Sequence, residues 1–286
     1  MNRRILITGC RGMLGAQLAE TLVGAGQVVG VDIDQGDLSD MDVCRRIVKE
    51  ASPDVVVNAA AFTRVDDCEM PEILPKAMAA NARIPKNLAR LCKESGALLV
   101  HISTDYVYDG KKDDPYVEDD EPAPLSAYGR SKLAGDEAVI ASGCKYLILR
   151  TAWLFGRHGH NFIEAILRQA DEKDRLRVVN DQRGAPTSTI DLAEGIKIAL
   201  DHSLAGLFHF ACRGSTTWLD YAKKICEFAG IDVPVDPITT EQLGLPAPRP
   251  ANSLLDCTRF IQATGFEPRT WQRALADYVE KRRTAG

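Results

Sequence analysis

Tyr128 and Lys132 are the residues whose spacing most clearly indicates chemistry, because positions i and i+4 lie on one face of a helix. A phenol has an ordinary pKa near ~10, and a neighbouring ammonium group lowers that pKa and makes the phenol a better acid–base catalyst. Thr104 ends an apolar segment, where its hydroxyl can bind a reacting carbonyl oxygen, whereas Ser103 faces the other way if this segment is a strand. Thr104, Tyr128 and Lys132 are therefore the predicted catalytic residues of a carbonyl reduction.

A glycine-rich loop follows the first apolar segment and precedes a predicted helix. Its glycines allow the backbone to approach a pyrophosphate, and the helix N-terminus supplies N–H donors and a partial positive charge. The spacing Gly-x-x-Gly-x-x-Gly has one residue more than the common Gly-x-Gly-x-x-Gly pattern. The loop predicts dinucleotide contacts from Gly9, Arg11, Gly12, Met13, Leu14 and Gly15. Cys10 lies in the same loop, and we interpret it as a small packing residue.

Two residues give opposite indications about the nicotinamide cofactor. Asp32 ends the second predicted strand, 23 residues after Gly9, where a carboxylate accepts hydrogen bonds from ribose hydroxyls and favours NADH. Arg11 can instead receive a 2′-phosphate, which favours NADPH. The sequence thus predicts NADPH or NADH and leaves the choice open.

Further cofactor contacts are predicted after the second and third strands. Asp37 and Leu38 follow Asp32 in a short polar loop and can flank the adenine. Ala59, Ala60 and Ala61 end the third strand, and their small side chains let the backbone pass close to a cofactor. Lys132 is expected to hold the nicotinamide ribose in addition to its effect on Tyr128.

Composition indicates an ordinary globular enzyme. The chain has 286 residues, of which 45% are hydrophobic and 26% charged, and a net charge of −5 argues against nucleic acid as a partner. None of the eight cysteines forms a Cys-x-x-Cys pair, which indicates reduced thiols and no zinc site. The apolar N-terminal segment is too short for a signal sequence or a membrane span, so we expect a cytoplasmic protein.

The first half of the chain alternates β-rich segments with helical patterns. This alternation, with continuous apolar strands, predicts an α/β fold with a Rossmann-like, doubly wound parallel sheet. Strands are predicted at 5–8, 27–32, 55–58, 98–103 and 146–151. Helices are predicted at 14–23, from a cap at Asp40 to Glu50, at 74–94 and at 126–142, with a surface loop at 109–124.

The pattern loosens after residue 151, which predicts a smaller C-terminal substrate-binding domain. Here we expect helices at 162–173, 191–200, 218–228 and 271–283, strands at 176–179 and 207–210, and a proline-rich loop at 234–250. The predicted dinucleotide-binding domain is 1–150 plus about 174–210, and the predicted substrate-binding domain is about 151–173 and 211–286.

Several segments together resemble a known family, the extended short-chain dehydrogenase/reductases, and within it the dTDP-4-dehydrorhamnose reductases. The glycine loop and the segment 128–132 are shared with the wider superfamily, and other matching segments are 58–66, 103–109, 150–154, 161–162 and 216–218. The segments around Trp153, 181–187 and 249–253 are more specific. The resemblance covers nearly the whole chain.

The resemblance implies NAD(P)H-dependent reduction of the 4-keto group of dTDP-4-dehydro-6-deoxy-L-mannose to dTDP-L-rhamnose. It implies the same catalytic residues, with Trp153 against the sugar and Asn161 and Arg249 near the diphosphate. A guanidinium suits a diphosphate, and an indole offers an apolar face to a deoxysugar. The implied substrate-binding residues are Thr104, Asp105, Tyr128, Trp153, Asn161 and Arg249.

The chain departs from some members of this family that form a magnesium-bridged dimer through glutamates. Gln17 and Ile190 occupy those positions here, and neither side chain is a good magnesium ligand, so we expect no metal and either a monomer or a homodimer. Two alternatives share the glycine loop and the Tyr–Lys pair. One is a related sugar-nucleotide epimerase or reductase, and the other is a non-catalytic regulatory subunit similar to the methionine adenosyltransferase β-subunit.

Overall fold

The computed structural model describes residues 3–285, and its centre is a parallel sheet that confirms the predicted α/β fold. Six strands form this sheet: β1 (Arg3–Thr8), β2 (Gly26–Val31), β3 (Val55–Asn58), β4 (Leu98–Thr104), β5 (Lys145–Thr151) and β10 (Gly206–His209). Their order across the sheet is β10-β5-β4-β3-β1-β2, and every pairing is parallel. The bounds of β3 equal the predicted ones, and those of the other five strands differ by one or two residues.

Six shorter strands lie outside the central sheet and form two-stranded pairs β11-β8, β12-β7 and β6-β9. They are β6 (Leu154–Phe155), β7 (Leu176–Val179), β8 (Arg183–Gly184), β9 (Thr187–Ser188), β11 (Thr216–Thr217) and β12 (Val235–Ile238). Only β7 was expected from the sequence, since the others are too short to produce a period-2 pattern or, for β12, contain a proline.

Helices cover both faces of the sheet and build the C-terminal part. They are α1 (Met13–Thr21), α2 (Met41–Ala51), α3 (Leu74–Met78), α4 (Ile84–Ser95), α5 (Ala127–Ser142), α6 (Phe162–Glu172), α7 (Thr189–Asp201), α8 (Trp218–Ala229), α9 (Thr240–Leu243), α10 (Thr258–Thr264) and α11 (Trp271–Ala285). Within residues 3–285, none of these helices has the length and apolar character required to cross a bilayer.

Alternating side chains of the strands supply two separate cores. Ile5 and Ile7 of β1 pack with α1 and α7 on one face, whereas Leu6 packs with α2, α4 and α5 on the other. Burial on both faces explains why these strands are continuously apolar. Capping also follows the sequence, because Asp40 accepts hydrogen bonds from the first turn of α2 and Ser126 caps α5.

A third core joins the C-terminal elements α6, α8 and α11 with strand β7. Strand β7 pairs with β12, not with the central sheet, so its assignment to the dinucleotide-binding domain is wrong. The proline-rich segment 234–250 was expected to be a loop, but it contains β12 and α9. Apart from β7, the three cores are consistent with two domains, and we retain that division as a proposal.

The segment 74–94 was predicted as one helix, and the structure divides it. A π-helical turn, Ala79–Arg83, separates α3 from α4 and carries the buried side chain of Asn81. Such turns are frequent at functional sites. Gly135 of α5 lies against this turn, and a Cβ at position 135 would overlap the carbonyl oxygen of Asn81.

We predict that Gly135→Ala destabilises the protein by about 1–3 kcal/mol, because the added methyl group forces α5 away from the π-helical turn. Thermal unfolding followed by circular dichroism measures the effect. Gly24→Ala is the matched control, since a Cβ there meets no atom within 4 Å, and its melting temperature should stay near that of the parent. Equal melting temperatures for both variants would contradict the close packing of α5.

Candidate active site

The glycine loop lies at the carboxyl edge of the sheet, in the crevice where the chain order reverses between β1 and β3. Gly9 has a φ of +67°, and a Cβ there would lie 2.8 Å from Ala60 Cα. A Cβ at Gly15 would overlap the carbonyl group of Gly9. Only glycine fits at both positions, so the backbone of the loop is open to a ligand.

A cavity of about 360 Å³ adjoins this loop and fits the adenosine side of a dinucleotide. Its lining contains seven of the predicted cofactor residues: Gly9, Gly12, Asp32, Leu38, Ala59, Ala60 and Ala61. The lining also contains Phe62 and Lys76, which the sequence pattern did not single out. Apart from Asp32 and Lys76, the lining side chains are small or apolar, which suits an adenine ring.

The remaining predicted cofactor residues lie outside this cavity. Leu14 is buried in the core against the sheet, and Met13 is half-buried at the start of α1. Asp37 is exposed and its carboxylate accepts a hydrogen bond from Ser39 N at 2.8 Å, which stabilises the loop. Arg11 is exposed, and its guanidinium contacts Asp34 at 2.6 Å. The contacts predicted for these residues stay predictions.

Asp32 organises the edge of the cavity. Its carboxylate accepts hydrogen bonds from Arg11 N at 2.9 Å and from Ile33 N at 2.8 Å. The carboxylate therefore shapes the glycine loop, and its predicted contact with the ribose stays a prediction. Asp34 holds the side chain of Arg11, the residue that a 2′-phosphate would have to recruit.

Thr104, Tyr128 and Lys132 come together at the same edge, on β4 and α5. All three are buried, and Lys132 Nζ donates a hydrogen bond to Ile102 O at 2.6 Å. Thr104 Oγ1 donates to Asp105 at 2.9 Å, while Ser103 turns to the opposite side and donates to Asp136. The Tyr128 ring packs edge-on against Tyr106, with ring centroids 5.5 Å apart.

Burial decides the protonation of Tyr128. It raises the pKa of the phenol. The expected decrease caused by Lys132 is not what the structure shows, because Lys132 is itself buried and its ammonium binds Ile102 O. A raised pKa keeps Tyr128 protonated at neutral pH, which suits a proton donor in a reduction.

Asn81 connects the segment that follows β3 with the catalytic helix α5, and no motif in the sequence singled it out. Its amide makes two hydrogen bonds with the backbone of Phe62, at 2.8 and 3.0 Å, and donates to Ser131 Oγ at 2.9 Å. Ser131 in turn donates to Tyr128 O. A break in the helical pattern before Pro85 was the available signal, because proline disrupts the preceding helical hydrogen bonds.

Asp105 and Arg249 face the crevice from two different segments. Burial raises the pKa of Asp105 to about 6, against a hydrogen bond that Thr104 donates to Oδ1, and its Oδ2 has no partner. Arg249 makes two hydrogen bonds with Asp66, at 3.1 and 2.7 Å. Although burial alone would raise the pKa of Asp66, Arg249 and the Ala247 amide lower it. A diphosphate would have to compete with Asp66 for Arg249.

Trp153 has a φ of +49°, a strained conformation that marks a constrained site. Its indole stacks on Trp218 with ring centroids 3.6 Å apart, and Trp218 donates a hydrogen bond to Gln182. A Cβ at Gly184 would overlap the Trp153 ring, so glycine is required there. The face of Trp153 that stacks on Trp218 is not available to a sugar, and the predicted sugar contact stays a prediction.

Asn161 is engaged within the protein. Its side chain caps α6 at Glu164 N and donates to Gly156 O and to the hydroxyl of Tyr278. The cap explains an asparagine at this position without a ligand. Its predicted role near the diphosphate is therefore an untested prediction.

We predict that Asp32→Ala weakens the binding of NADH more than that of NADPH, because only the ribose hydroxyls of NADH use this carboxylate fully. Fluorescence titration of the two reduced cofactors gives both dissociation constants. Glu50→Gln serves as the control, since it removes an exposed carboxylate on the outer side of α2. A uniform loss for both cofactors would indicate that Asp32 acts through the shape of the loop alone.

Comparison with known proteins places this site in a family. The dTDP-4-dehydrorhamnose reductase of Burkholderia thailandensis is 39% identical over 289 residues, which cover 95% of this chain and 96% of the relative. The spore coat polysaccharide biosynthesis protein SpsK of Bacillus subtilis is 39% identical over 283 residues, or 99% of both chains.

The structural comparison agrees with these relatives and with the resemblance stated from the sequence. A crystal structure of dTDP-4-dehydrorhamnose reductase from Bacillus anthracis in complex with NADP has a TM-score of 0.94 and 35% identity, covering 98% of this chain and 100% of that chain. Residues 3–284 match the family described as the RmlD substrate binding domain. This chain therefore belongs to the RmlD substrate binding domain family.

Proposed function

We propose that this chain is an NAD(P)H-dependent oxidoreductase that reduces the 4-keto group of dTDP-4-dehydro-6-deoxy-L-mannose to give dTDP-L-rhamnose. The observation that carries the proposal is the convergence of Thr104, Tyr128 and Lys132 beside the glycine-loop crevice. Relatives named dTDP-4-dehydrorhamnose reductase, one of them solved with NADP, support the substrate and the cofactor.

Each catalytic side chain has a distinct part in this reaction. The reduced nicotinamide supplies a hydride when it is bound. Tyr128 holds its proton until the ketone oxygen needs it, because burial favours the neutral phenol. Thr104 orients the ketone oxygen through its hydroxyl, and Lys132 presents an ammonium group that stabilises negative charge on that oxygen.

The proposed substrate-binding residues are side chains near the same edge of the sheet. Asp105 Oδ2 is buried without a partner and is suited to accept a hydrogen bond from a sugar hydroxyl. Arg249 binds the diphosphate when it leaves Asp66. Trp153 contacts the sugar with the part of its indole that Trp218 leaves free, and Asn161 contributes near the diphosphate.

An assay with the sugar nucleotide tests the proposal directly. The substrate is generated anaerobically from dTDP-glucose with the two preceding enzymes, and each reduced cofactor is supplied separately. Loss of nicotinamide absorbance with formation of dTDP-L-rhamnose supports the reductase. A regulatory subunit would consume no cofactor, and an epimerase would return an isomer without net oxidation of the cofactor.

The setting of the enzyme is also a proposal. All eight cysteines are free thiols, which is consistent with a reducing compartment such as the cytoplasm. The sequence indicates a monomer or a homodimer, since the magnesium-binding positions carry Gln17 and Ile190. Light scattering at several protein concentrations distinguishes the two states.

We predict that Tyr128→Phe lowers kcat by about 10²- to 10⁴-fold while cofactor affinity stays close to that of the parent, because only the proton donor is removed. Steady-state kinetics and a fluorescence titration provide the two measurements. Tyr146 lies near the first residue of β5, at the edge of the sheet opposite the catalytic residues. Tyr146→Phe is therefore the matched control and should keep full activity. Equal turnover of Tyr128→Phe and the parent would refute the assignment.

We predict that kcat/KM for the sugar nucleotide falls several-fold as the pH falls through about 6, because Asp105 then gains a proton and becomes a weaker acceptor. The pKa of Asp105 is raised, so the ionised and binding form exists above this pH and is lost below it. Asp105→Asn should remove this acid limb. Asp109→Asn should keep it, since the Lys111 amide and the Tyr116 hydroxyl lower the pKa of Asp109.

A further inference from the structure

A buried carboxylate that the reaction mechanism does not use lies directly behind the catalytic residues. Asp136 of α5 is fully buried, and its Oδ2 accepts hydrogen bonds from Ser103 Oγ at 2.9 Å and from Arg150 Nε at 3.2 Å. Burial raises the pKa of Asp136, and the positive charges of Arg150 and Lys132 and the hydrogen bonds from Ser103 and Arg150 act against this increase and favour the ionised form. Asp136 therefore places a negative charge inside the protein.

The second oxygen of Asp136 faces His101, whose tautomer is fixed by its neighbours. Thr8 Oγ1 donates to Asn58 Oδ1 at 2.7 Å, which leaves Asn58 Nδ2 to donate to His101 Nδ1 at 3.0 Å. Burial lowers the pKa of His101 well below its ordinary value, so the ring is neutral and its proton lies on Nε2. This N–H lies 3.6 Å from Asp136 Oδ1.

The charged and polar groups described around Asp136 come from two strands and from its own helix. Strand β4 contributes Ser103 and His101, β5 contributes Arg150, and the preceding turn of α5 contributes Lys132. Lys132 and Arg150 are both buried cations, and Asp136 is the anion within reach of both. Lys132 has Ile102 O as its hydrogen-bond partner, and a carbonyl oxygen carries no net charge to balance an ammonium group.

We propose that Asp136 is a positioning residue for the reduction, because its carboxylate keeps the buried Lys132 ammonium group protonated at the pH at which the enzyme works. The effect of Asp136 on the reduction rests on the proposed function, whereas its effect on the protonation of Lys132 does not. Ser103 and Arg150 hold the carboxylate in one orientation through hydrogen bonds, and they favour its ionised form.

The charge balance of Lys132 agrees with this role. Burial lowers the pKa of Lys132 to about 8, and the negative charge of Asp136 opposes that decrease. Without the carboxylate, burial acts alone and the pKa falls further, so the side chain loses its charge near neutral pH. Asp136 thus sets the upper pH limit for a protonated Lys132.

The test measures the titration of Lys132 itself. In enzyme with 13C-labelled lysine, the Cε signal that disappears in Lys132→Met reports the protonation of Lys132 without cofactor or substrate. In Asp136→Asn, its midpoint should move to lower pH by roughly one pH unit or more. In Asp136→Glu, which keeps the charge, the midpoint should stay close to that of the parent.

Kinetics provide the second readout. In Asp136→Asn, the alkaline limb of kcat/KM should move to lower pH by the same amount, while activity on the acid side of the limb is retained. A purely structural role would lower kcat at every pH and leave the limb in place. An unchanged Lys132 titration in Asp136→Asn would overturn the proposal.

A folding defect does not prevent the test. If Asp136→Asn fails to fold because Arg150 is left without a partner, Asp136→Asn combined with Arg150→Gln removes the buried pair together. Among charged groups, Asp136 is the one that acts on Lys132, so the same acidic movement is expected. A parent enzyme that reduces no sugar nucleotide would refute the proposed function and would leave the Lys132 titration interpretable.

Discussion

The buried ammonium group of Lys132 is the constraint on which the site depends. Its hydrogen bond to Ile102 O joins α5 to β4, and this contact places Tyr128 beside Thr104. A buried cation is costly unless a hydrogen bond and an opposite charge accompany it. The carbonyl of Ile102 supplies the hydrogen bond, and Asp136 supplies the opposite charge. Together they hold α5 in one position on the sheet.

The same burial produces the chemistry. A site closed to water strengthens each electrostatic interaction within it, and it keeps the phenol of Tyr128 neutral until a substrate oxygen accepts the proton. The chain belongs to the RmlD substrate binding domain family, and a similar structure, the dTDP-4-dehydrorhamnose reductase from Bacillus anthracis, was solved in complex with NADP. The edge of the sheet therefore combines an open backbone for the cofactor with a closed pocket for the reacting groups.

Two ion pairs at the rim of the site hold cations that a ligand would use. Arg11 is held by Asp34, and Arg249 is held by Asp66, which also accepts a hydrogen bond from Ala247 N. The pair at Arg11 is exposed and weak, so a 2′-phosphate can compete for the guanidinium. The pair at Arg249 is more buried and bidentate, and it keeps the 247–249 segment against Asp66 in the short helical turn that follows β3.

The sequence by itself determined the features that depend on neighbouring residues. These are the parallel α/β fold, the glycine loop, the caps at Asp40 and Ser126, and the Tyr128–Lys132 pair, because strand and helix periodicities and capping act over a few residues. Only the tertiary structure decided the direction of the Tyr128 pKa, since burial is a property of the whole fold and is the largest influence on this phenol. Only it brought Asp66 to Arg249, which is 183 positions away, placed β7 with β12, and assembled Thr8, Asn58, His101 and Asp136 into one buried line. No local pattern contains these contacts, because they are set by how the strands are ordered in the sheet.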